Sequence, residues 1–182
     1  MSVALFFVGV FSLIYHATLR QVAQYGDDIS MYILAGALLQ AVYTHNRSQA
    51  AASLITALIG FGIVLHCCFY IYSGDIQTHI LAFSAMIHAV WPRTLYLIYF
   101  DGERSQAQIK ALAKRFWKAA CILVVAFVIW NIDIAKCFEL RRIRRDIGLP
   151  WAWFLELHGW WHILTALGAS EYIKLVRDLT VT

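Results

Sequence analysis

The chain has 182 residues, of which 61% are hydrophobic and 14% charged, and it contains only two prolines. Such a composition lies well outside that of an ordinary soluble domain. The formal charge of +4 sits mainly in two basic clusters, Lys110 to Lys118 and Arg141 to Arg145; beside apolar helices such clusters favour lipid headgroups over nucleic acid.

Residues 1–19 form an apolar run closed by Arg20, without the basic leader and small-residue cleavage site of a signal peptide. About 20 apolar residues cross a bilayer, and on that rule further spans are expected at 29–44, 51–72, 76–100, 115–135 and 151–175. Two basic loops, 101–114 and 136–150, join the later spans. The expected fold is all-α, a polytopic transmembrane bundle of six spans in one domain covering residues 1–182. A soluble all-helical protein is the alternative; seven tryptophans, nine tyrosines and eleven phenylalanines suit membrane-interface belts better.

Alternate loops place Arg47, Arg104, Lys110, Lys114, Arg115, Lys118, Lys174 and Arg177 on one side. Arg20, Lys136, Arg141, Arg142, Arg144 and Arg145 fall on the other. Eight cations against six make the first side cytoplasmic by the positive-inside rule. The sequon Asn46-Arg47-Ser48 then faces the cytoplasm and stays unmodified. Cys67, Cys68 and Cys121 lie in apolar runs as small hydrophobes, Cys137 lies near a loop, and no cysteine spacing matches a zinc site.

Ionisable residues inside membrane helices are expensive and therefore candidates for function. In the last span His158 and His162 are four positions apart, one turn along a single face. Taken alone, the pair reads as two histidines bonded to nearby backbone; a third imidazole turns it into a metal site. The first span offers His16, with Ser12 one turn before it, and Asp27 and Asp28 follow at the entrance to the second span. Counting alternating spans brings Ser12, His16, Asp27, His158 and His162 to the same side.

A catalytic zinc takes three protein ligands and keeps a fourth position for water, which His16, His158 and His162 satisfy. Asp27 is then the acid/base and Ser12 the donor to a developing oxyanion, with helix packing as the alternative for the serine. Successive helix positions point about 100° apart, so only one of Asp27 and Asp28 can face the metal. His66, His79 and His88 share no face and read as interfacial or core histidines. Arg93 requires a partner, a protein carboxylate or the substrate, with a structural role favoured, and Asn131 and Asp133 read as local caps or as a pair for Arg20.

Ser12-x-x-x-His16, Asp27 eleven positions on, and His158-Gly-Trp-Trp-His162 together resemble the alkaline ceramidases. Tyr15-His16-Ala17-Thr18-Leu19, Asn131-Ile132-Asp133 with Cys137 following, and His162-Ile163-Leu164-Thr165 continuing to Gly168 extend the likeness over most of the chain. The resemblance implies a zinc hydrolase of the endoplasmic reticulum and Golgi that cleaves the ceramide amide to a sphingoid base and a fatty acid, with the serine, aspartate and three histidines in the roles above. The family spacing from His16 selects Asp27, so Asp28 is expected to cap the helix or meet solvent. The resemblance also implies seven spans behind an acidic, calcium-binding N-terminal segment. This chain opens in what resembles the second span, so Ca2+ ligands do not carry over, and a disulfide partner for Cys137 would lie in that segment. Two other readings stay open: a lipid esterase of the glycolipid-anchor-remodelling type, and a receptor-like zinc protein without turnover, although the latter has no need of Ser12 and Asp27.

Overall fold

A computed structural model describes residues 1–180, which are almost wholly helical. In chain order they form α1 (Ser2–Thr18), α2 (Gln21–Thr44), α3 (Gln49–Ser73), α4 (Ile76–Phe100), α5 (Gln106–Ala135), α6 (Cys137–Ile147), a 3-10 turn (Trp151–Leu155) and α7 (Leu157–Thr180). The all-α expectation holds. Three of the six expected spans, α3, α4 and α5, are long and apolar enough to cross a membrane, and α1 is apolar but shorter. α2 and α7 fall outside that group because each carries ionisable side chains, Asp27 and Asp28 in one and His158, His162, Glu171, Lys174, Arg177 and Asp178 in the other.

Two boundaries differ from expectation for a physical reason. α2 begins at Gln21, eight residues before the hydrophobic run, because helix propensity does not require apolar side chains. The 136–150 segment is not a loop: Cys137–Ile147 is helical, with Leu140, Ile143 and Ile147 at helical spacing along one face.

The residues fall into two compact units. The first holds residues 1–113 together with α7 from Ile173 onward, and the second holds Lys114–Tyr172. In the first unit α2 packs against α1, α3 and α4. Leu19 in the left-handed region (φ 51°) ends α1 by donating its N–H to the Tyr15 carbonyl at 2.6 Å, so the chain reverses into α2 within two residues. Gly26 lets the helices meet closely, since a Cβ there would lie 3.0 Å from the Phe11 ring.

Ser48 caps α3, Gly74 (φ 64°) closes it, and Asp75 caps α4 by accepting from Gln77 N–H at 2.9 Å. Each cap satisfies backbone groups that a helix end leaves unpaired. Near Pro92 in α4, Arg93 Nε donates to the Val42 carbonyl at 3.1 Å and Tyr43 donates to the Ala89 carbonyl at 3.1 Å. Arg93 also lies over the Tyr43 and Tyr96 rings, so its partners here are a carbonyl and two aromatic faces rather than the expected carboxylate or substrate. Asp101 accepts from Asn46 at 3.0 Å and faces His45 Nε2 at 3.1 Å, tying the α2–α3 turn to the end of α4.

In the second unit Gly168 sits where a Cβ would lie 2.8 Å from Leu123 Cγ, so a helix face without side chain lets α7 approach α5. Phe116 with Tyr172 and Trp130 with Trp161 pack beside it. α6 packs on the 3-10 turn. Arg144 pairs with Glu156, and Trp160 Nε1 donates to the Phe154 carbonyl at 3.2 Å, which fixes the start of α7.

Candidate active site

Ser12, His16 and Asp27 belong to the first unit, and His158 and His162 to the second. Ser12 and Asp27 are both buried, and they face one another across the α1–α2 pair. The Ser12 hydroxyl lies near the Asp27 carboxylate yet reaches no partner in full hydrogen-bond geometry. A buried hydroxyl without such a partner is costly, and it leaves a donor available beside an acid. Ser30 Oγ donates to the Asp27 carbonyl at 2.6 Å and steadies the turn that carries the carboxylate. His16, one turn after Ser12, is exposed, with its ring 5.0 Å from that of Tyr15.

In the second unit the His158 and His162 rings are 4.9 Å apart, at 79° to one another, on the first turns of α7. Asp133, near the end of α5, places Oδ2 3.7 Å from His158 Nδ1. The sequence reading gave Asp133 a local cap or Arg20; its neighbour in the structure is His158. A carboxylate behind one imidazole nitrogen fixes the ring and turns the other nitrogen outward, as metal-binding histidines require. Trp161 lies close to both histidines, with ring centroids 5.0 and 4.3 Å away and its ring tilted against each. Two imidazoles one turn apart, one of them backed by a carboxylate, suit a borderline metal such as zinc.

Asp28 overturns the expectation of a cap or a solvent-facing residue. It lies in the second turn of α2, is buried, accepts a hydrogen bond from the Tyr70 hydroxyl at 2.5 Å, and faces His79 Nε2 at 3.6 Å. His66 and His79, read as unrelated, meet at one tyrosine. Tyr32 Oη lies 2.9 Å from His66 Nε2 and 3.0 Å from His79 Nδ1. A continuous polar network thus runs Tyr70, Asp28, His79, Tyr32, His66 through the middle of three helices. The signal was in the spacing, because Asp28 and Tyr32 are four apart on α2, and His66 and Tyr70 are four apart on α3.

A cleft of about 330 Å³ opens between α2, α3 and α4, lined by Leu39, Ile59, Ile63, Ala82 and Met86 with Tyr32 and His66 at its polar part. Its lining suits an alkyl chain rather than a polar ligand.

With three helices long and apolar enough to cross a membrane among the described residues, the chain falls in the class of helical membrane proteins. Residues 1–182 match the sequence model of the family described as Ceramidase, and the chain belongs to that family. It is similar to alkaline ceramidase YPC1 of Saccharomyces cerevisiae, 28% identical over 96% of this chain and 59% of that protein. It is also similar to alkaline ceramidase 3 of Mus musculus, 22% identical over 93% of this chain and 61% of that protein. The chain therefore spans about three fifths of the length of these relatives.

Proposed function

We propose that the chain is the catalytic part of a zinc-dependent intramembrane amidase that hydrolyses ceramide to a sphingoid base and a free fatty acid, in endoplasmic reticulum or Golgi membranes. The observation that carries this reading is the buried Ser12 hydroxyl beside the Asp27 carboxylate in a chain of the ceramidase family. A purely structural metal site needs neither group.

His16, His158 and His162 would hold the metal, with Asp133 orienting His158. Zinc, when bound, supplies Lewis acidity and a water of lowered pKa. Asp27 takes the proton from the attacking water and delivers it to the nitrogen of the leaving sphingoid base, so the C–N bond breaks as the amine becomes neutral. Ser12 donates to the carbonyl oxygen as charge builds there. Such a donor contributes to rate because its interaction is stronger in the transition state than in the ground state. Burial of both groups keeps bulk water from competing for either hydrogen bond.

The test is metal analysis joined to a lipid panel on purified full-length protein and on the His158→Ala and His162→Ala variants. Ceramide turnover with about one zinc per chain, both lost in each variant, is the expected result. Stoichiometric zinc retained in both variants refutes the ligand set. Turnover of an acyl glycolipid but not of ceramide makes the protein an esterase, and zinc without turnover of any sphingolipid makes it receptor-like.

A further inference from the structure

We propose that α6 and the 3-10 turn after it form a docking surface for anionic phospholipid, built from residues other than those given catalytic or metal-holding roles above. Lys136 alone separates α6 from the long apolar α5, and α7 begins at Leu157. α6, about 16 Å long at 1.5 Å per residue, is thereby tethered at both ends to helices read as consecutive spans. It stays at one face of the bilayer.

Successive positions advance by about 100°, so α6 divides into arcs. Leu140, Ile143 and Ile147 share the arc that is buried or half-exposed. Arg141, Arg142 and Arg145 share the opposite arc with Phe138, which is 85% exposed. The acidic residues Glu139 and Asp146 lie between these arcs, off the basic face.

The cations of this segment are not equivalent. Lys136 is paired with Glu139 at 3.1 Å and Arg144 with Glu156. Arg142 and Arg145 have no protein partner among the described residues, and Arg141 has only Cys137 Sγ at 4.0 Å. A solvated helix face intersperses both signs; this one presents three arginines around a protruding aromatic ring.

The turn that follows continues the pattern. Leu149 is 85% exposed and Trp151 64%, with Trp153 and Phe154 about half exposed. Tryptophan and phenylalanine beside unpaired arginines match the two layers of a lipid surface. The rings enter the acyl boundary and the guanidiniums bind phosphate. A nucleic acid or an acidic protein would satisfy the arginines but not a face with this many exposed rings held against a bilayer.

The experiment uses the full-length chain in nanodiscs of phosphatidylcholine mixed with phosphatidylglycerol, with either lipid brominated. The difference in tryptophan fluorescence between wild type and the Trp151→Phe/Trp153→Phe variant isolates the signal of the turn. Brominated phosphatidylglycerol is expected to quench that signal several-fold more than brominated phosphatidylcholine. Each exposed arginine accounts for roughly fivefold at low ionic strength, and the preference fades at high salt. The R141Q/R142Q/R145Q variant, altered only at exposed positions, should bring the ratio close to one, whereas K110Q/K114Q should leave it unchanged. Phe138→Ala should reduce quenching by both lipids and keep the ratio. Equal quenching by the two lipids in the wild type overturns the proposal, as does a ratio unmoved by the triple variant or abolished equally by K110Q/K114Q. A signal that responds to an oligonucleotide or to polyglutamate, and not to phosphatidylglycerol, overturns it by assigning the face to a soluble polyanion.

Discussion

Removing the Tyr70 hydroxyl isolates one bond of the buried network, because Tyr70→Phe keeps the ring that packs edge-on to Tyr25 at 5.3 Å. The bond at stake is the 2.5 Å contact to Asp28 Oδ2. A hydrogen bond to a charged group contributes about 1.5–3 kcal/mol, and without it the remaining polar neighbour of the Asp28 carboxylate among the described residues is His79 at 3.6 Å. Tyr70→Phe should therefore destabilise the protein by about 2 kcal/mol, which for a chain of this size lowers Tm by roughly 4–8 °C. Asp28→Ala should cost more, since it leaves the Tyr70 hydroxyl and the His79 imidazole both short of a partner. Thermal unfolding in a mild detergent, followed by far-UV circular dichroism, measures both variants and their double mutant. A coupling energy of about 1–3 kcal/mol is expected if the two side chains act on one another. Additive effects within about 0.5 kcal/mol would mean that Asp28 and Tyr70 do not stabilise each other, and the network would lose its first link.

Asp27→Asn should keep zinc and abolish turnover, because an amide does not accept the proton of water; metal analysis beside ceramide hydrolysis checks both halves, and residual activity near wild type would remove Asp27 from the acid/base role. Asp133→Asn should weaken zinc binding by about 10–100-fold through loss of the group that orients His158, measured by competition with a chromogenic chelator; unchanged affinity would reduce the 3.7 Å contact to packing. Gly168→Ala should lower stability by about 1–3 kcal/mol, since the new methyl group meets Leu123 and Ile122, and an unaltered Tm would show that those side chains move aside freely.

The long apolar helices were legible because hydropathy alone locates them: α3 and α4 begin within two residues of the expected spans. α2 was mislocated at its start because Gln21, Gln24, Asp27 and Asp28 interrupt the apolar pattern, and a search for apolar runs stops where that pattern breaks, not where the helix begins. That error carried Asp28 to a supposed helix cap, whereas its side chain lies among Tyr70 and His79 in the interior. The i, i+4 pairs Asp28–Tyr32 and His66–Tyr70 are visible in the sequence, but which helices face one another is a tertiary property that periodicity does not carry. α6 was passed over because its arginines lower the mean hydropathy, although Leu140, Ile143 and Ile147 kept the helical rhythm. Asp133 was seen as a polar residue near a helix end, and only the placement of α7 beside α5 supplied His158 as its neighbour.

The position of α2 bears on how the protein is made. Its two buried carboxylates lie at residues 27 and 28, while the groups that receive Asp28, Tyr70 and His79, are made some forty to fifty residues later. Until α3 and the start of α4 are made, Asp28 lacks both of these partners, and an unpartnered carboxylate in hydrocarbon is costly, so stable burial of this part of α2 depends on residues that follow it in the chain. The polar interior of the second helix is thus completed by side chains of the third and fourth, not by its own sequence.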